Sequence, residues 1–69
     1  MLTNEEKANI VNQHIRNVDT NLYNLELSLI EANAKTTVDQ DAISSLNAQV
    51  TDLTAQKTAL QAELASLQA

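Results

Sequence analysis

The chain contains no glycine, no proline and no cysteine among its 69 residues, and its only aromatic side chain is Tyr23. Without glycine there is no phosphate-cradling loop and no EF-hand turn. Without proline, nothing obliges a helix to stop. Without cysteine, disulfides, thiolate chemistry and a lipid-modified cysteine anchor are excluded, while the redox compartment stays open. With neither Phe nor Trp, stability must come from repeated aliphatic layers. A chain this short makes at most one domain and a marginal core, so oligomerisation or docking on a larger protein is the expectation.

Positive charge is also scarce. Lys7, Arg16, Lys35 and Lys57 stand against nine carboxylates, for a net charge of −5. Nucleic-acid binding requires clustered cations that displace phosphate counterions, and no cluster exists here. An acidic, arginine-poor chain is equally ill suited to an anionic membrane surface. The segment Met1-Leu2-Thr3-Asn4-Glu5-Glu6 is acidic with no following apolar run, so neither a signal peptide nor a membrane span is expected there.

Reactive groups are few. His14 is the only histidine, and no carboxylate lies three or four residues away to complete a metal pair on a helix. Its neighbours at helical spacing are Ile10, Val11 and Val18, which makes it an imidazole beside an apolar stripe. No Ser–His–acid set is evident, and Glu5/Glu6, Glu26/Glu31 and Asp39/Asp41 read as solvated or capping carboxylates rather than a catalytic dyad. No Asn opens an N-x-Ser/Thr sequon. The expectation is a protein without catalysis, cofactor, metal or small-molecule substrate.

What the sequence does have is a heptad. Counting a positions at Ala8, Ile15, Leu22, Leu29, Thr36, Ile43, Val50, Lys57 and Leu64 puts d at Val11, Val18, Leu25, Ala32, Asp39, Leu46, Leu53, Leu60 and Leu67. Fifteen of these eighteen are Ile, Val, Leu or Ala. Such 3,4 spacing signals helices packed side by side along a seam. The polar surface holds 25 Asn, Gln, Thr and Ser residues, so the charge code that usually selects coiled-coil partners at e and g is mostly silent. It reads either as a solvated face or as one that hydrogen-bonds along a protein scaffold.

The same pattern fits two architectures. Thr3 to Glu6 forms a capping-box sequence, and Thr37-Val38-Asp39-Gln40 repeats it. Just before the second box, Lys35 suits a helix C-terminus and Thr36-Thr37-Val38 lowers helix propensity. The seam is weakest there too. A turn near residues 35–39 gives an all-α antiparallel hairpin with helices of about 3–34 and 38–69. Leu29 then faces Leu46, Leu25 faces Val50, Leu22 faces Leu53, Ile15 faces Leu60, Val11 faces Leu64 and Ala8 faces Leu67. Val18 alone meets a charge, Lys57, whose stem can snorkel toward Asp19 or solvent. The alternative is one continuous helix of about 100 Å in a parallel coiled coil. It is favoured by a register that survives the midpoint, by Ile43 and Val50 at a with Leu46 and Leu53 at d, and by the absence of Gly and Pro at the turn.

Outside the seam, Tyr23, Leu27 and Ile30 occupy b and f positions four and three residues apart, and Ile10 adds exposed apolar surface. Three large apolar side chains on one outer face invite burial, either by hairpins pairing into a four-helix bundle or by docking on another protein. Ala48, Ala55, Ala62 and Ala69 at successive f positions, with Ala59 beside them, are explained by helix propensity alone.

Three strings in the first arm, Leu2-Thr3-Asn4-Glu5-Glu6-Lys7, Val11-Asn12-Gln13-His14-Ile15-Arg16-Asn17 and Leu22-Tyr23-Asn24-Leu25-Glu26-Leu27, resemble small helical proteins encoded by tailed bacteriophages of marine bacteria. The resemblance covers roughly residues 1–34 and carries no functional motif. It implies a virion or phage-accessory protein, located in the particle or the host cytoplasm. A soluble adaptor that binds a host or phage protein helix-in-groove, and a freestanding coiled-coil spacer or oligomeriser, are the other expectations. The partner is then the chain itself, a larger protein assembly, or both.

Overall fold

Thr3 opens the first helix from extended backbone. Its Oγ1 accepts the Glu6 N–H at 3.1 Å, and the Glu6 carboxylate accepts the Thr3 N–H at 3.0 Å, which is the reciprocal capping box read from the sequence. The computed structural model, which describes residues 1–69, contains two α-helices, α1 (Asn4–Asn33) and α2 (Gln40–Gln68), folded back on each other as a hairpin. At its end α1 satisfies its free carbonyls locally. The Asn33 side-chain amide donates to the Leu29 carbonyl at 2.9 Å, and the Ala34 N–H is shared between the Ile30 and Glu31 carbonyls.

The turn corrects one expectation. The second helix is capped by Asp39, not Thr37. Asp39 lies in extended backbone (φ −92°, ψ 103°), and its Oδ1 accepts from the Asp41 and Ala42 N–H groups at 3.0 and 3.2 Å. Asp39 is therefore a helix start rather than a flaw in the seam. α2 begins two residues later than the sequence pattern placed it, and Lys35 falls beyond the last turn of α1. The missing glycine proves no obstacle, because residues 34–39 reverse the chain without a single positive φ. A connection of this length can distribute the reversal over ordinary backbone conformations.

With the turn outside the helices, every a and d position from Ala8 to Ala32 and from Ile43 to Leu67 is shielded. Val18 is buried, and Ala8, Val11, Ile15, Leu22, Leu25, Leu29, Ala32, Ile43, Leu46, Val50, Leu53, Lys57, Leu60, Leu64 and Leu67 are half-buried. Only one other residue, Ser28 at a g position, joins them. The pairing of Val18 with Lys57 is visible in the ion pair beside it, Lys57 Nζ to Asp19 Oδ1 at 2.7 Å. The Lys57 stem runs over the seam and its ammonium reaches the rim.

The particle measures 54 × 16 × 14 Å. One 30-residue arm accounts for about 45 Å of that length, so the arms are folded back and the continuous rod is not the structure. Five of the eight hydroxyls inside the helices are tied to the preceding turn: Thr20, Ser28, Thr51, Thr54 and Thr58 each donate to the carbonyl four residues back, at 2.7–3.1 Å. This absorbs a polar group that otherwise competes with helix formation.

Candidate interaction surface

A two-helix hairpin has a seam but no enclosed interior. Val18 is the only residue that counts as buried, at 8% exposure, and no buried polar side chain exists. All chemistry is therefore at the surface. The Glu6 carboxyl is shifted toward stronger acidity. The Thr3 backbone N–H, helped by the Thr3 side chain, holds it below the usual carboxylate range against a slight opposing desolvation. That is a capping effect, and no group of three or more His, Cys, Asp or Glu side chains gathers where it could hold a metal ion.

The two flanks of the hairpin differ. Antiparallel pairing sets g positions opposite g and e opposite e. Every surface groove lies on the g flank. The middle groove has Val18, Leu53 and Leu60 as its floor, and His14, Asn17, Asn21, Gln56 and Glu63 among its walls. A second continues toward the turn between Asn21, Asn24, Ser28 and Gln49. The third, at the open end, joins Leu2, Ile10, Val11 and Leu67, with Lys7 and Glu63 at its rim. These channels are shallow and open, and their walls are largely uncharged. They are what remains when short side chains flank two half-covered rows of d residues.

The back of α1 is different in kind. Tyr23 is 60% exposed, Ile30 59% and Leu27 38%, all on b and f positions that point away from α2. The b and f positions of this stretch run Gln13, Arg16, Thr20, Tyr23, Leu27, Ile30, Ala34, with one charge and no carboxylate. The structure thus gathers the three residues expected to form a second contact onto one stripe of exposed apolar surface. Ile10, at a c position on the g flank, belongs instead to the open-end groove with Leu2. Leu2 was not singled out from the sequence. Its signal was present in the exposed pair Met1 and Leu2, which precede the cap and lie outside the heptad count inside the helix.

The hydroxyl half of the polar surface is less available than its composition suggests, since five Ser and Thr hydroxyls already donate within their own helix. Donation to a scaffold is left to the other six Ser and Thr hydroxyls and to the Asn and Gln amides, of which Asn33 and Gln49 also bond within their own helix. No helix is long and apolar enough to cross a membrane. No protein-family model, curated protein or solved structure matches the chain.

Proposed function

We propose that this chain is a non-enzymatic structural interaction protein, a small component of a bacteriophage particle or an accessory to one, that attaches by helix packing through Tyr23, Leu27 and Ile30. The observation that carries the reading is that three large apolar side chains stand exposed on the face of α1 opposite the seam. A helix already committed to a partner on one side has no internal reason to place them there. The resemblance of residues 1–34 to small phage-encoded helical proteins supplies the particle, and the Asn- and Gln-rich surface is compatible with a protein scaffold. The location that follows is the virion or the host cytoplasm.

Mass spectrometry of purified particles from a phage encoding this sequence tests the proposal. The peptide is expected at constant stoichiometry, and its clear absence removes the particle reading. A soluble adaptor is the second reading, and one observation favours it: the i, i+4, i+7 spacing of Tyr23, Leu27 and Ile30 is that of anchors on a helix laid into a groove. Recovery of one soluble partner at fixed stoichiometry, lost on Leu27→Glu, would select the adaptor.

A further inference from the structure

The hairpin exposes 5176 Å². For a folded chain of 7.5 kDa, surface–mass scaling gives about 4,250 Å². The molecule thus carries an excess of about 900 Å² over a self-sufficient fold of its mass. That is close to the roughly 800 Å² each partner loses in a standard-sized protein interface. The deficit is what one partner of similar size, contributing equally, would remove.

The exposed stripe is also matched to itself. Tyr23 precedes Leu27 by four residues and Ile30 follows it by three. If two such helices run antiparallel with Leu27 at the centre, each Leu27 meets its own copy and each Tyr23 meets an Ile30. A two-fold contact requires this self-complementarity. Because the b and f line carries no carboxylate between Gln13 and Ala34, two chains of net charge −5 can meet there without opposing acids on the stripe.

We propose that the Tyr23–Leu27–Ile30 face is covered by the same face of a second copy of this chain, the two α1 helices crossing antiparallel about a two-fold axis at Leu27. The product is a four-helix assembly with both α1 helices at its centre and the α2 helices outside. It leaves the g-flank grooves and the Ala48–Ala55–Ala62 face of α2 open for attachment elsewhere. This rests on reading the stripe as an interaction face, and makes a second copy its occupant, so that attachment to a particle passes to the faces left open.

Light scattering on the purified chain at micromolar concentration tests it, with disulfide trapping as an independent measurement. The wild type is expected at twice the 7.5 kDa chain mass. Leu27→Glu is expected to halve that mass. Ala55→Glu, the same charge change at an exposed f position of α2, should leave it unchanged. As the chain has no cysteine, Leu27→Cys should oxidise to a covalent dimer in high yield, because facing positions on helices 8–10 Å apart lie within disulfide reach, while Ala55→Cys should not. If Leu27→Glu loses its helical signal, the trapping comparison decides. A wild-type monomer, a dimer indifferent to Leu27→Glu, or equal trapping at both cysteines overturns the proposal. A monomer that still co-purifies with particles would overturn the second copy and leave the interaction reading standing. A Leu27-dependent dimer found neither in particles nor with any partner would do the reverse.

Discussion

Replacing Lys57 by Met separates what its charge contributes from what its stem contributes. Lys57 holds an a position opposite Val18, the most buried side chain of the protein, and pairs with Asp19 at 2.7 Å. Both partners are substantially exposed, 32% for Lys57 and 49% for Asp19. Water therefore screens the pair, and its contribution falls in the range of about 0.2–1 kcal/mol. Met keeps the length that covers Val18, removes the need to hold an ammonium at the rim, and adds apolar burial of about 0.8 kcal/mol per methylene equivalent, reduced in proportion because the site is only half-covered. The two terms nearly cancel, so Lys57→Met should lie within about 1 kcal/mol of the wild type, on the stable side if on either. Lys57→Ala keeps neither and uncovers Val18, at a cost of about 1–2 kcal/mol. Urea unfolding followed by far-ultraviolet circular dichroism at one fixed protein concentration measures both, the concentration being held because association would shift the apparent stability. If Lys57→Met costs clearly more than about 1 kcal/mol, the ion pair dominates and the reasoning fails. Equal losses for Met and Ala would refute the covering role of the stem.

Three further expectations follow from the caps and the seam. Asp39→Ala should destabilise by about 1 kcal/mol through loss of two amide partners, whereas Thr37→Ala should stay within about 0.5 kcal/mol; the reverse order in urea unfolding would return the cap to Thr37. The Glu6 carboxyl, held below its usual range by the Thr3 N–H, takes up its proton more readily in the unfolded chain. The stability it contributes is therefore present above the ordinary glutamate range and is lost as pH falls through its lowered folded-state value. An NMR titration should show the Thr3 amide following the Glu6 carboxyl in the wild type, and a flat Thr3 response would remove the reciprocal bond; Glu6→Gln should abolish the titration. Val18→Ala, which deletes the equivalent of two methylenes at the best-covered site, should cost about 1.5 kcal/mol, and a change below about 0.5 kcal/mol would mean that the seam is looser than its geometry indicates.

Much of the fold was legible because the seam obeys one rule along its whole length. Each a or d residue from Ala8 to Ala32 and from Ile43 to Leu67 is shielded, and the Thr3–Glu6 box formed as its spacing required. The cap of α2 was harder to place. Thr37 and Asp39 are both capping residues, and the heptad count assigned Asp39 to the seam. What separates them is that Asp39 Oδ1 accepts two amides while the β-branched Thr36, Thr37 and Val38 remain outside the helix, where their stiffness costs nothing. Tyr23, Leu27 and Ile30 were legible as a stripe, since b and f positions define an outer face wherever a and d define an inner one. Ser28 was not, because a g residue becomes half-buried only through the local approach of α2, which periodicity does not encode.

Hairpin and rod share the same periodicity, since each buries a single stripe of a and d residues. Asp39 distinguishes them physically. In a parallel rod it would enter a d layer beside its own copy, next to a Thr36 layer, and withdrawing two like carboxylates from water costs several kcal/mol, which Lys35 one turn earlier at the rim offsets only in part. At the start of α2 the same carboxylate stays solvated, accepts the Asp41 and Ala42 amides and meets the positive end of the helix. One side chain thus changes from a penalty to a stabilising group according to whether the chain turns. The two polar interruptions near the midpoint, which look like tolerated faults in a long coiled coil, are what divides it into two arms. Folding back in turn leaves the outer face of α1 without a neighbour. The result is a 54 Å hairpin with a single buried residue, whose exposed apolar side chains on α1 are what the proposed contact would cover.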